Sequence, residues 1–194
     1  MISSEDIRSL PSLTKDLVSD QTETNIFKKT NVSVQGFDAT KGFGQNTNNT
    51  STHVLVGMGG FNNQKMTATL RFGNFTTQAN SDIEVYCRIQ GLDATDTCYV
   101  ARMDNDVARI SKMIAGSYTN ITSTAMACAV DQDIIISLQV IGSALTATFE
   151  NITANPGVVI TLTGTDTTIT SGGLMGFGSL SSSVWCKNFT AEEV

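Results

Sequence analysis

Residues 133–150 read Asp-Ile-Ile-Ile-Ser-Leu-Gln-Val-Ile-Gly-Ser-Ala-Leu-Thr-Ala-Thr-Phe-Glu, and the rest of the fold can be read outward from them. The first nine residues are a dense aliphatic run, which predicts a central strand covered on both faces. After Gly142-Ser143 the pattern becomes strict alternation. Leu145, Ala147 and Phe149 fall on one side, and Ala144, Thr146, Thr148 and Glu150 on the other. A period of two belongs to a strand with one buried face. Glycine at the first central position suits a two-residue type II′ turn, so the stretch predicts an antiparallel hairpin.

The same period recurs upstream. Met66, Ala68, Leu70 and Phe72 alternate with Thr67, Thr69 and Arg71, and Ile83, Val85, Cys87 and Ile89 alternate with Glu84, Tyr86 and Arg88. Downstream, Val158–Thr163 predicts a further strand, and Ser171-Gly172-Gly173 marks a turn before Leu174-Met175-Gly176-Phe177-Gly178. Glycines at 172, 173, 176 and 178 suit a strand that bends or passes close beneath a neighbour. The closing run from Val184 to Thr190 is expected to place Trp185 and Phe189 on one face with Lys187 between them. Residues 36–52 are rich in Gly, Asn and Thr and predict an exposed loop with brief extended pieces. Ten or more short strands at this spacing predict an all-β sandwich of two antiparallel sheets over residues 25–194.

Residues 1–24 differ. Ile7, Leu10, Leu13 and Leu17 recur at three- and four-residue intervals, and Pro11 fits the first turn of a helix starting near Ser9 or Leu10. The segment predicts a short amphipathic arm, helical or extended, packed on its own domain or docked on a partner subunit.

Composition narrows the function. At 194 residues and 40% apolar content the chain closes one core, so one domain with an appendage is expected. A net charge of -6 argues against a phosphate-backbone binder, so no nucleic-acid partner is expected. The single histidine, His53, cannot serve both a catalytic triad and a multi-histidine metal cage. No apolar run has the length of a membrane span and no secretory signal is visible, so synthesis in a cytoplasm without export or a membrane partner is expected. The four cysteines, Cys87, Cys98, Cys128 and Cys186, lack metal spacing and read as small buried hydrophobes. Cys87 and Cys98 fall on neighbouring strands, which leaves a cross-strand bridge open.

The order of motifs carries a resemblance. Tyr99-Val100-Ala101-Arg102-Met103, Ala108-Arg109-Ile110-Ser111-Lys112 and Thr119-Asn120-Ile121-Thr122-Ser123-Thr124 are followed by Ile134–Val140 and Gly142-Ser143-Ala144-Leu145-Thr146-Ala147. Asp166, Ser171-Gly172-Gly173-Leu174-Met175-Gly176-Phe177 and Trp185-Cys186-Lys187-Asn188-Phe189 complete the series. Together they resemble the consecutive strands of concanavalin A-like lectin and glucanase jelly rolls, laminin G-like modules in particular. The resemblance covers residues 80–190 by motif and 25–79 by strand count. It implies a two-sheet antiparallel jelly roll. The chain departs from the family at Lys187, where relatives place Asp.

That fold hosts lectins, hydrolases and passive modules, so activity has to be argued from residues. Glycoside hydrolysis needs paired carboxylates about 5–9 Å apart, and Glu84 and Glu150 read as single residues on separate strands. No nucleophile elbow is visible. Catalytic residues are therefore expected to be absent, and the protein is expected not to be an enzyme. Calcium is the one candidate metal the resemblance implies, with Asp93, Asp96, Asp104 and Asp106 in turns, Asn105 beside the last two. No other cofactor is expected. Sugar binding would use planar rings with polar handles, for which Tyr86, Tyr99, Tyr118 and Trp185 are the candidates.

An acidic, Thr-rich β-sandwich without a catalytic set also resembles tailed-phage virion proteins. The leading expectation is a capsid decoration or cement protein made in the host cytoplasm and localised to the virion. Ile7, Leu10, Leu13 and Leu17 would dock it on other virion proteins, and it would form a homo-oligomer or symmetric array. The alternative is a carbohydrate-binding adhesin module on tail or capsid whose partners are host-surface glycans. A polysaccharide-degrading enzyme is the remote third reading.

Overall fold

A computed structural model describes the backbone over residues 12–16, 27–30, 34–38, 42–45, 52–72, 82–91, 97–104, 106–179 and 184–194. Side chains are described over 60–71, 82–91, 97–104, 106–179 and 185–194. The described residues form fifteen strands. They are β1 (Ser12–Asp16), β2 (Phe27–Thr30), β3 (Val34–Asp38), β4 (Gly42–Gln45), β5 (Thr52–Gly59), β6 (Gln64–Phe72), β7 (Asp82–Gln90) and β8 (Thr97–Asp104). The others are β9 (Val107–Ile114), β10 (Ser117–Ala125), β11 (Asp133–Ile141), β12 (Ala144–Asn151), β13 (Val159–Thr165), β14 (Leu174–Ser179) and β15 (Val184–Glu193). An eight-stranded sheet runs β13-β12-β11-β6-β15-β4-β3, with β1 added on β15, and a seven-stranded sheet runs β10-β9-β8-β7-β14-β5-β2. The chain is an all-β, two-sheet antiparallel jelly roll.

The alternating residues deliver the core. Met66, Ala68 and Leu70 of β6, Ile134, Ile136, Leu138 and Val140 of β11, and Leu145, Ala147 and Phe149 of β12 point inward. They meet Ile83, Val85 and Cys87 of β7, Ala101 and Met103 of β8, and Met175 and Phe177 of β14. Each large aliphatic side chain in this layer contributes about 1.5–3 kcal/mol. Phe177 of one sheet and Phe189 of the other stand 5.6 Å apart between ring centres and tie the layers together. The hairpin at Gly142-Ser143 forms as predicted, with Ile141 opposite Ala144 and φ of 57° at Gly142.

Three expectations from periodicity need correction, and the arm, read as helical or extended, is extended over 12–16. Strand β11 is central in its sheet but covered on one face only: Ile135 is half-buried and Ile141 is 45% exposed. Strand β7 bulges at Arg88, whose φ is 55°, and the register shifts between Cys87 and Gln90. Ile89 is thereby turned out of the inter-sheet core, while Arg88 is buried and bonds the carbonyls of Asn62 and Ile169. Strand β15 carries a second bulge between Cys186 and Asn188, so Phe189 joins Cys186 in the core and no longer shares a face with Trp185. The helical spacing in the arm does not produce a helix over 12–16. That stretch is strand β1, paired with β15, with Leu13 opposite Ala191. A strand satisfies its backbone on an existing sheet edge, whereas an isolated short helix is marginal. Ile7, Leu10 and Leu17 lie outside the described residues.

The glycine expectation holds at one end of the sandwich. A Cβ on Gly172 would stand 2.3 Å from the Phe61 carbonyl oxygen, and one on Gly173 would stand 2.3 Å from that of Ile89. Only glycine fits there. Gln64 seals the crossing, donating to the Gly173 carbonyl at 2.6 Å and accepting from the Arg88 amide at 2.6 Å.

Candidate functional site

The alternation that sends Ile83, Val85 and Cys87 inward sends Asp82, Glu84 and Tyr86 to the outer face of the seven-stranded sheet. Register brings them beside residues no sequence pattern connects. Glu84 is opposite Arg102, Arg102 is opposite Arg109, Tyr86 is opposite Val100, and Val100 is opposite Ser111. Tyr86, Ile89, Cys98, Val100 and Met113, with Tyr118 and Leu174 packed against them, form a second apolar cluster on this face.

A polar network is set into that apolar bed. Glu84 is fully buried, and its Oε2 accepts hydrogen bonds from the Tyr86 hydroxyl and, at 3.1 Å, from the Tyr118 hydroxyl. Arg102 places Nη1 3.3 Å from Asp82 and Nη2 3.6 Å from Asp104, and its guanidinium lies 4.4 Å above the centre of the Tyr118 ring. Arg109 Nε is 3.3 Å from Asp104, close enough for an ion pair but misdirected for a hydrogen bond. Burial pushes both phenols up, and the Glu84 charge pushes them further in the same direction. Burial lowers Arg102, but Glu84, Asp82 and Asp104 outweigh it and hold the guanidinium above its usual range. Both tyrosines are therefore held in their neutral form.

Its hydrogen bonding is incomplete. Among the described residues, the buried side-chain nitrogen and oxygen atoms without a hydrogen-bond partner are Glu84 Oε1, Arg102 Nε, Arg109 Nε and Ser111 Oγ, and all four lie on this one face. A buried polar atom left unbonded costs about 1–3 kcal/mol, so four of them on one face set it apart from the rest of the described surface. The site grades from rim to floor. Side chains are 27% exposed at Arg109 and 26% at Asp104, falling to 14% at Arg102 and 4% at Asp82. On the floor side, Gly178 is opposite Glu84 and Gly176 opposite Tyr86, so β14 presents bare backbone beside both. His53 takes the register position beyond Gly178 on β5.

The four aromatic candidates do not form one platform. Tyr86 and Tyr118 converge on Glu84. Tyr99 points into the inter-sheet core, where its hydroxyl donates to Asp166 at 2.9 Å and accepts from the Ile169 amide at 3.1 Å, so its ring is closed to a ligand. Trp185 is half-buried on the other sheet, opposite Arg71. Among the calcium candidates, Asp104 is engaged by Arg102 and Arg109, and Asp106 accepts from the Cys128 amide at 2.7 Å. Asp93 and Asp96 lie outside the described residues. No group of three or more His, Cys, Asp or Glu is arranged for a metal among the described residues. Cys87 faces the inter-sheet core and Cys98 the outer cluster, so no bridge joins them across β7 and β8.

Glu84 is not the isolated carboxylate that its sequence context implies, since Asp82 and Asp104 share its face. The readable signal was the Asp82-x-Glu84-x-Tyr86 period, which looks the same on a solvated face. The departure at Lys187 is also explained. Its Nζ is 2.6 Å from Asp133, which Arg71 holds as well at 2.6 and 3.0 Å, so a cation at 187 completes an ion-pair triad on the eight-stranded sheet.

No protein-family model matches the chain, and no curated protein matches it in sequence. Solved structures do match. The carbohydrate-binding module CBM66 from Bacillus subtilis superposes with a TM-score of 0.70 at 14% identity, covering 87% of this chain and 96% of the module. Lectin II from Ulex europaeus gives 0.69 at 7% identity, covering 95% and 98%. The transglycosylase Crh5 gives 0.67 at 10% identity, covering 96% and 86%. The fold is that of the concanavalin A-like lectin and glucanase jelly rolls, as the order of motifs implied.

Proposed function

We propose that the protein is a non-catalytic carbohydrate-binding module whose glycan site is the outer face of the seven-stranded sheet. The observation that carries the reading is the likeness of the fold to a carbohydrate-binding module and to lectins, and the cluster of Glu84, Arg102, Arg109 and Ser111 in neighbouring register positions gives the face its polar character. Sugar hydroxyls can bond carboxylate, guanidinium and hydroxyl groups of this kind, and a carbohydrate-binding module and lectins are among the similar structures. Against turnover at this face, Asp82 is held by Arg102 and Glu84 by two phenols, so these two carboxylates do not form the free acid–base pair that glycoside hydrolysis uses. Affinity electrophoresis of the full chain through polysaccharide gels tests the reading. Retardation without release of reducing ends is expected, and free migration through every gel would contradict it.

For setting, we propose a tail- or capsid-borne adhesin, supported by the acidic, Thr-rich composition. Docking through residues 1–24 has less support, because Ser12–Asp16 spends its backbone pairing on β15 of its own domain. Mass spectrometry of purified particles tests the setting, and absence of the chain from them would overturn it.

A further inference from the structure

We infer that the protein pairs with a second copy of itself, β13 against β13 in antiparallel register, with Leu162 on the two-fold axis. The inference is independent of the glycan-binding reading and concerns an edge of the other sheet. Strands β13 and β3 close the eight-stranded sheet, and β10 and β2 close the seven-stranded one. Edge strands ordinarily carry a charge, a proline or a bulge that keeps other strands away. Strand β2 has Lys28 and Lys29, β3 ends on Asp38 and shifts register between Val34 and Gly36, and β10 shifts register between Asn120 and Thr122. Strand β13 has none of these guards. It reads Val-Ile-Thr-Leu-Thr-Gly-Thr, and its register on β12 runs unbroken from Thr165 to Val159. Val159 is 53% exposed, and Thr161, Thr163 and Thr165 are exposed with it. The strand is also held ready, since the Gly157 amide donates to Glu150 at 2.7 Å and the Val158 amide to the Asn155 carbonyl at 3.2 Å in the turn before it.

The direction of the free backbone groups fixes the register. The Asp166 amide donates to the Ser143 carbonyl at 3.0 Å, one step beyond the pair Ala144–Thr165. By the alternation of an antiparallel ladder, Gly164, Leu162 and Ile160 then bond β12, while Thr165, Thr163, Thr161 and Val159 turn their N–H and C=O groups away from it. Among the described residues nothing bonds those outward groups. With the axis on Leu162, Val159 meets Thr165 of the second copy and Thr161 meets its Thr163, so every outward group finds a partner. A shift of two residues leaves one end of the row unpaired. The outer side chains are β-branched throughout and read alike in both directions, which a two-fold contact requires, and Thr opposite Thr is a favourable cross-strand pair. No like charges meet. Glu150, opposite Val159 on β12, lies at one end of the contact and its counterpart at the other. An isologous contact of this kind closes at two copies, and the guarded edges elsewhere stop further addition.

Sedimentation velocity of the full chain over about 1–500 µM tests the pairing by mass action. The mass should rise with concentration toward twice that of the chain and stop there. Thr163→Lys sets two cations beside the axis and should raise the dimer Kd at least tenfold. Thr163→Pro removes an outward N–H that bonds nothing within the chain and should do the same. Ser123→Lys, on the exposed edge strand β10, should leave the dimer intact. Amide exchange in the unmodified chain reads the register without any variant. Thr161 and Thr163 should gain protection as concentration rises, while Ile160 and Leu162 stay protected at every concentration. A monomer throughout, a mass that climbs past two copies, or a dimer that Ser123→Lys dissociates and Thr163→Lys does not would each overturn the inference. So would a dimer in which the Thr161 and Thr163 amides exchange as fast as in the monomer.

Discussion

On the outer face of the eight-stranded sheet, Thr67 donates to Ser137 at 2.9 Å, Thr69 donates to Asn188 at 2.8 Å, and Asp133 holds Arg71 and Lys187 together. On the outer face of the seven-stranded sheet, four buried polar atoms have nothing to bond. Both faces arise from the same period-two alternation, and both set polar side chains opposite hydrophobic ones. The first face uses short hydroxyl side chains, with register positions in a row that runs from Thr14 through Thr190, Thr67, Ser137 and Thr148 to Thr161 and a hydroxyl–hydroxyl bond at Thr67–Ser137. The second uses long charged side chains and tyrosines that fill the space and leave donors and acceptors over. A fold tolerates unmet polar burial where something else depends on it, which is why the second face, and not the more regular first, reads as the site.

The contrast can be broken from the satisfied side first. Asp133→Ala removes three short contacts and leaves Arg71 and Lys187 without their partner, so chemical denaturation should show a loss of about 2–3 kcal/mol. Glycan binding should not change, since the triad lies on the opposite sheet. Weaker glycan binding with unchanged stability would invert the assignment of the two faces.

A second test uses acid. Asp166 is held at about 2, because the Lys112 ion pair at 2.7 Å, the Thr168 amide and hydroxyl and the Tyr99 hydroxyl outweigh the upward push of its burial. Its folded value lies below the ordinary carboxylate value of 3.8. The stability it contributes is therefore present above about pH 4 and lost as pH falls through about 2. Asp166→Asn should flatten the stability profile across that window, at a cost of roughly 2 kcal/mol at neutral pH. An unchanged profile would mean that Lys112 and Tyr99 do not hold the carboxylate.

Ser111→Ala should have the smallest effect on stability and the opposite sign. Removing a buried hydroxyl that bonds nothing raises stability by up to about 1 kcal/mol, while glycan affinity falls. A destabilised Ser111→Ala would show that the hydroxyl has a structural partner. The thiols give a further check on side-chain direction. Burial pushes Cys87 up to about 12, and Cys87 and Cys98 face opposite sides of their sheet. Alkylation of the native chain at neutral pH should be slow at both, and peptide mapping under non-reducing conditions should find no Cys87–Cys98 bridge.

Most of the fold was legible because the core is written in residues whose burial has a fixed period. Met66 to Leu70, Ile83 to Cys87 and Leu145 to Phe149 point where alternation puts them. The failures fall at bulges. Nothing in Cys87-Arg88-Ile89 or Cys186-Lys187-Asn188 announces an extra residue, yet each bulge inverts every side chain that follows it. The arm was left open between helix and extended chain for a different reason, since apolar spacing of three and four is open to a strand whenever a free edge such as that of β15 is available. The site was the least legible part. Glu84, Arg102, Arg109 and Ser111 come together through the pairing of β7, β8 and β9, which is tertiary information, and sequence alone had Glu84 as a single carboxylate on its own strand. Searching for ring-bearing residues found Tyr86 and Tyr118, the ligands of Glu84, without finding Glu84 itself.

The arginine side chains offer the most direct test. In ¹H–¹⁵N spectra, the Nε–H groups of Arg102 and Arg109 report the unmet donors, while that of Arg71, bonded to Asp133 at 2.6 Å, is an internal control from the satisfied face. Titration with an oligosaccharide cut from a polysaccharide that retards the chain should move the Arg102 and Arg109 resonances together, in proportion to occupancy, and leave Arg71 in place. Movement of Arg71 alone, or saturation of binding with Arg102 and Arg109 unmoved, would contradict the claim that a sugar completes the seven-stranded face.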